Sequence, residues 1–271
     1  MRIVDDGSRL LPFLVSRYQL RQADTKEVQF PMIVQACING ARPIDYHPQL
    51  PVTVEAIARD AAAVVAAGAA ELHIHPRAVD GKESLGAVDE TIAALRGSCP
   101  GSFLGVSTGA WIEGDAHRTL EAIRCWSVLP DYASVNLSED DAPAVMALLR
   151  DQGVGIEVGL ASVADAERYI GLEAHERVLR ILIELDNEQD LRGAFDVAEG
   201  IVGTLQRGNV QRPVLMHGFD ATVWPFVRLA RERRYSTRVG LEDGKLLPSG
   251  MIAANNAELV AAAVEIFRSE S

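Results

Sequence analysis

Two histidines stand two residues apart in Leu72-His73-Ile74-His75. On an extended strand they share one face, because strand side chains alternate with a period of two. Two imidazoles so placed can bind one metal ion. Taken alone, the pair is equally compatible with two hydrogen-bonded polar residues in a loop. A third candidate ligand, Glu242, lies in Arg238-Val239-Gly240-Leu241-Glu242-Asp243, where Arg238, Gly240 and Glu242 share one face and Val239 and Leu241 the other. A carboxylate buried at a strand end needs a partner, since an isolated buried charge is costly. Two histidines and a glutamate with open positions form a catalytic zinc pattern. The competing reading of Glu242 is a structural ion pair with Arg238.

Further polar residues punctuate the apolar runs. Glu157, in Gly155-Ile156-Glu157-Val158-Gly159, is expected to point inward between two glycines, as a general base or substrate ligand. The alternative is a salt-bridged residue of an interior layer. Ser107, Thr108 and Gly109 offer hydroxyls and backbone N–H groups for a substrate carboxylate, or simply a strand-to-helix turn. Asn136 is a candidate donor to substrate. Arg77, after the histidine pair, reads as an anion clamp or a structural ion pair. Glu184, Asp186 and His217 also end apolar runs, with no role legible. His117 and His175 are expected on the surface of helical segments, and Trp111, Trp126 and Trp224 in packing roles.

These residues need a frame. Eight short runs rich in Val, Ile and Leu are expected as strands: 32–38, 71–75, 103–107, 132–137, 155–160, 178–185, 213–216 and 237–241. Helical patterns lie between them, clearest at Thr53–Ala67, with Thr53 as N-cap, Ile57, Ala61 and Val64 as an apolar stripe, and Gly68 past the end. Further helices are expected at 142–150, 163–169, 188–202, 223–233 and 256–268. Repeated strand–helix alternation implies a parallel sheet, and eight units in this length suit a (β/α)₈ TIM barrel. An open doubly wound sheet would show a glycine-rich first turn, whereas this one reads Asn39-Gly40-Ala41-Arg42-Pro43. Residues 1–31 are expected as an N-terminal cap and 32–271 as the barrel. Barrel active sites gather at the C-terminal strand ends, and strand eight closes beside strand one, so Glu242 can reach His73 and His75.

Composition sets the outer limits. With 38 acidic against 26 basic residues, the net charge is −12. That balance argues against nucleic acid or anionic membrane as main partners. The three cysteines, Cys37, Cys99 and Cys125, form no CxxC pair and suggest a reducing, cytoplasmic setting. The run Leu10–Val15, broken by Pro12, reads as a poor signal peptide, and no apolar stretch is long enough to span a bilayer.

The order of these motifs resembles a known family. Gly40-Ala41, Leu50-Pro51-Val52-Thr53, Ala67-Gly68-Ala69-Ala70, His73-Ile74-His75-Pro76-Arg77 with Asp80-Gly81, Ser107-Thr108-Gly109, Arg238-Val239-Gly240-Leu241-Glu242-Asp243 and Asn255-Asn256-Ala257-Glu258 together resemble the β-keto acid cleavage enzymes. The resemblance spans about Met32 to Phe267. It implies a zinc-dependent barrel that condenses a β-keto acid with acetyl-CoA to give acetoacetate and a new acyl-CoA. It also implies His73, His75 and Glu242 as zinc ligands, and Arg238, Asp243, Ser107 and Glu157 as catalytic or substrate-contacting residues. The implied assembly is a homotetramer.

Some positions depart from the pattern. The family's amino-substrate founder carries an acidic residue after its Gly-Ala, where this chain has Arg42. Arg42 is therefore expected to contact substrate, and the substrate's distal end to be neutral or anionic rather than an ammonium group. For the CoA phosphates, only Arg207, Arg212 and Arg228 suggest themselves. The alternatives are another metal-dependent barrel lyase or hydrolase acting on a keto acid, or a non-catalytic barrel that binds an acidic metabolite. An amidohydrolase is disfavoured, because the histidine pair sits on strand two and the third ligand is a glutamate.

Overall fold

Apolar runs of three to six residues are too short for stable helices and bury both faces only by pairing edge to edge. Eight do so: β1 (Val34–Cys37), β2 (Glu71–Ile74), β3 (Phe103–Ser107), β4 (Tyr132–Asn136), β5 (Gly155–Leu160), β6 (Arg180–Leu185), β7 (Val214–Gly218) and β8 (Thr237–Val239). All seven ladders are parallel, in the order β7-β6-β5-β4-β3-β2-β1-β8. A bridge between Leu215 and Ser236 closes the ring, with Ser236 N–H donating to Val214 O and Met216 N–H to Ser236 O, each at 2.9 Å. The expected (β/α)₈ barrel is the fold observed. This computed structural model describes residues 30–269 apart from 174 and 187, so the expected cap lies almost wholly outside the described residues.

Among the described residues, eight α-helices wrap the strands: α1 (Val54–Ala66), α2 (Val88–Ser98), α3 (Ala116–Arg124), α4 (Ala142–Gln152), α5 (Val163–Ile170), α6 (Leu191–Arg207), α7 (Val223–Glu232) and α8 (Asn256–Arg268). Thr53 caps α1 as expected, its hydroxyl accepting from Ala56 N–H at 3.2 Å, and Ile57, Ala61 and Val64 form the buried stripe. Helix α2 escaped the sequence reading, and α3 was read only as the helical segment around His117, without bounds. The first carries Gly97 in its last turn, and the second is nine residues long with only Thr119 and Ile123 buried. Helix α6 runs later than expected because Asp190 caps it, accepting from Gly193 N–H. His175 lies in a turn, not a helix. No described helix is long and apolar enough to cross a membrane.

Strand parity sorts the side chains. Ala36, Leu72, Ile74, Val106, Val135 and Val158 face the helices and join the hydrophobic core. The interior is polar. Arg180 is ion-paired with both Glu157 and Glu71. Gln35 donates to Glu71 at 2.9 Å, Glu157 at 3.2 Å and the Tyr132 hydroxyl at 2.8 Å. Gly105 leaves room for the Tyr132 ring, which would lie 2.0 Å from a Cβ there. This layer plugs the barrel and forms the floor beneath the C-terminal mouth.

Candidate active site

Glu242 reaches the histidines because three backbone devices hold the β1 and β8 ends together. Gly240 lies so close to β1 that a Cβ would stand 1.9 Å from Cys37 O, and Gly40, at φ +56°, leaves space occupied by the Glu242 side chain. Asn256, fully buried at the start of α8, accepts from Leu241 N–H at 2.6 Å and donates to Ile38 O and Asp60, each at 2.7 Å. Asn39 grips His75 from the other side, accepting from its N–H and donating to its carbonyl, each at 2.9 Å.

His73, His75 and Glu242 are buried, and one ligand atom from each lies within 4.8 Å of the others. The two Nε2 atoms are 3.2 Å apart. Glu242 Oε1 is 3.4 Å from His75 Nε2, and Oε2 is 3.9 Å from His73 Nε2. Ligands about 2.0–2.1 Å from a tetrahedral metal stand roughly 3.3 Å from one another, close to this spacing. Glu242 Oε2 is buried with no hydrogen-bond partner, although such a group costs about 1–3 kcal/mol unless satisfied. The donor set therefore fits a divalent metal. Burial holds the His73 imidazole well below its usual pKa, favouring the neutral, metal-binding form. Burial opposes charge on His75 too, but Glu242 and Glu83 outweigh it and lift its pKa to about 9.

A second constellation flanks the first. Arg238 Nη2 is 2.7 Å from Glu242 Oε1 and 3.5 Å from Asp243 Oδ1, so the ion pair foreseen as an alternative coexists with the ligand cluster. Asp243, fully buried, accepts from Cys37 Sγ at 2.7 Å. His217 Nδ1 is 3.3 Å from Asp243 Oδ1 and its Nε2 3.8 Å from Glu184 Oε2, contacts without hydrogen-bond geometry. Glu83 bonds to His75 Nδ1. Two carboxylates, Glu242 and Asp243, thus face one guanidinium, an excess of negative charge that suits a bound cation.

Other expected residues divide. Ser107 is buried at the end of β3, its Oγ accepting from Gly109 N–H at 3.3 Å. Asn136 ends β4 at the mouth, 3.5 Å from Glu139, whose carboxyl burial pushes up to about 7. Three expectations need correction. Glu157 does point inward, but it is fully buried, ion-paired with Arg180 and accepting from Gln35, the arrangement of the salt-bridged-layer alternative, while its Oε1 has no hydrogen-bond partner. Thr108 has the opposite parity to Ser107, and its hydroxyl is spent on Ser134 O at 2.7 Å. Arg42 is at the rim, yet its guanidinium ties loops together, donating to Glu242 O at 2.8 Å, Asp243 O at 3.0 Å and Asp220 at 2.9 Å.

Gly109 serves Trp111, whose ring would lie 2.3 Å from a Cβ there. Arg77 is structural, donating to the carbonyls of Gly40, Arg42 and Gly81. Arg207 ends α6 and Arg212 precedes β7, which places both at the N-terminal end of the barrel, away from the mouth. Cys37, Glu83, Trp111, Glu139 and Asn256 were missed as site residues. Only Cys37 had a usable signal, since it shares the inward parity of Gln35.

The comparisons bear on family and fold. The beta-keto acid cleavage enzyme family matches residues 31–173 and 194–270. The 3-keto-5-aminohexanoate cleavage enzyme of Fusobacterium nucleatum subsp. nucleatum is 25% identical over 260 residues, covering 87% of this chain and 90% of that protein. Among solved structures, a binary complex of ObcA with oxaloacetate aligns at TM-score 0.66 and 18% identity, covering 80% of this chain and 63% of that longer one. A ternary complex of ObcA with a C4-CoA adduct and oxalate aligns at TM-score 0.66 and 19% identity, covering 80% of this chain and 63% of that one. At such identities the structural likeness speaks to fold alone. The family match covers most of the barrel, including both histidines and the Arg238–Asp243 segment, and on that ground the chain belongs to the beta-keto acid cleavage enzyme family.

Proposed function

We propose that this chain is a zinc-dependent enzyme that converts a β-keto acid and acetyl-CoA to acetoacetate and a new acyl-CoA. The observation that carries this reading is the meeting of His73, His75 and Glu242 at the barrel mouth, with a buried Glu242 oxygen left unsatisfied, in a chain of this family. Zinc held by these three residues would act as a Lewis acid toward the ketone and carboxylate oxygens of the β-keto acid. Ser107 and the following N–H groups orient the substrate carboxylate, and Asn136 donates to substrate from the end of the neighbouring strand. Arg238 faces the charge that develops as the C–C bond breaks. Asp243, held by Cys37 and flanked by Arg238 and His217, takes the proton-handling role.

A second reading, C–C cleavage without a CoA partner, is favoured by one observation. The loops after β4, β6 and β7 bring Glu139, Asp140, Asp141, Glu188, Asp190 and Asp220 to the mouth, while Arg207 and Arg212 sit at the far end. One experiment separates the readings: metal content of the purified protein, then acetoacetate release from a panel of β-keto acids with and without acetyl-CoA. Stoichiometric zinc and CoA-dependent acetoacetate support the first. Zinc with CoA-independent cleavage moves the function to a lyase, and no metal overturns the ligand argument. A cytoplasmic homotetramer belongs to the same proposal; light scattering tests the assembly.

A further inference from the structure

The two histidines of the cluster are held very differently. His73 Nδ1 is buried without a hydrogen-bond partner. His75 is gripped at its backbone by Asn39 and at its ring by Glu83, whose Oε1 bonds Nδ1 while Nε2 faces His73 and Glu242. Glu83 lies eight residues beyond His75 and reaches it because the loop after β2 folds back on itself. Gly81, at φ +82°, turns that loop, Ala78 N–H donates to Lys82 O at 2.8 Å, and an antiparallel bridge pairs Arg77 with Glu83. The second Glu83 oxygen accepts from Trp111 Nε1 at 2.9 Å. The Trp111 ring lies 21° from parallel to the His75 imidazole, at 6.4 Å between centroids. A half-exposed tryptophan held in place at the mouth, with its clearance provided by Gly109, suits an orienting task better than core packing.

We propose that Glu83 and Trp111 are positioning residues for the metal: Glu83 keeps the Nδ1 proton of His75 so that the Nε2 lone pair faces the cation, and Trp111 fixes the Glu83 carboxylate. A carboxylate behind a metal-binding imidazole sets its tautomer and orientation and raises its donor strength, and losing one typically costs 10–100-fold in metal affinity. Trp111 acts one step further out, so its indole N–H contributes less. This inference rests on the metal reading of the preceding section and goes beyond it by assigning the asymmetry of the two histidines.

The test is zinc affinity, measured by competition with a chromophoric chelator, for the folded wild type and for Glu83→Ala, Glu83→Gln, Trp111→Phe and the surface control Glu121→Ala. Circular dichroism establishes that each variant is folded. The expected order is wild type and Glu121→Ala together, Trp111→Phe weaker by a few-fold, Glu83→Gln weaker still, and Glu83→Ala weaker by about 10–100-fold. A merely structural Glu83 would lower thermal stability and leave the zinc affinity of the folded protein unchanged. Wild-type zinc binding matched within twofold by both Glu83 variants would overturn this inference alone, whereas a wild type that binds no zinc would overturn the metal reading and this inference with it. If Glu83→Ala does not fold, unchanged affinity in Glu83→Gln and Trp111→Phe is the overturning result.

Discussion

Substituting Glu157 by Gln separates two kinds of buried carboxylate. In the structure Glu157 accepts from Arg180 Nε and, at 3.2 Å, from Gln35 Nε2, and it is fully buried. Gln keeps the shape and one carbonyl acceptor but loses the charge, while Arg180 keeps its pairing with Glu71. The loss is one charge-assisted interaction, about 1.5–3 kcal/mol. For a domain near this size, 1 kcal/mol lowers Tm by roughly 2–4 °C, so Tm should fall by about 3–12 °C. A general base, by contrast, contributes about 10²–10⁴-fold to rate. The assay pairs thermal unfolding by circular dichroism with kcat on the preferred β-keto acid. The expected result is a clear drop in Tm with kcat within a few-fold of wild type. A hundred-fold loss of kcat at unchanged Tm would refute the assignment of Glu157 to the floor. Replacing Arg180 by Met should be harsher, about 3–5 kcal/mol, because two carboxylates lose their shared cation.

Three further outcomes follow from the same geometry. Gly40→Ala places a Cβ about 2.3 Å from Glu242 Cγ at φ +56°, so zinc affinity and activity should fall well beyond the roughly 1–2 kcal/mol of backbone strain seen in unfolding. Asn256→Ala removes the acceptor for Leu241 N–H and the donor to Ile38 O; a loss of about 2–4 kcal/mol by denaturant titration is expected, together with weakened metal binding, and stability within 0.5 kcal/mol of wild type would count against the staple. Burial raises the Asp60 pKa from 3.8 to about 6. The folded state therefore holds this proton more tightly than the unfolded chain, so the ionised carboxyl costs stability above pH 6, and that cost is relieved as pH falls from 6 toward 4. Asp60→Asn should be more stable than wild type at pH 7 by up to about 3 kcal/mol, with the difference vanishing near pH 4; equal stability at both pH values would contradict the shift.

What the sequence by itself determined is what depends on near neighbours. The period of two told which residues of Leu72-His73-Ile74-His75 and of Arg238–Asp243 share a face, and the strand–helix alternation told the barrel. Those local patterns, with ring closure between β8 and β1, were enough to bring His73, His75 and Glu242 together before any coordinates. Depth along the barrel and the partner across it depend instead on register between strands far apart in the chain, which no local pattern encodes. Glu157 shows this: its inward parity was legible, but its pairing with Arg180, on the next strand, follows only from the register of β5 against β6. Loops carry less local signal still. Arg42 reads in the sequence as a substrate contact, whereas the β7 and β8 loops supply it with Asp220 and two carbonyls, and Glu83 and Trp111 acquired their places only when the loops after β2 and β3 folded over the same histidine.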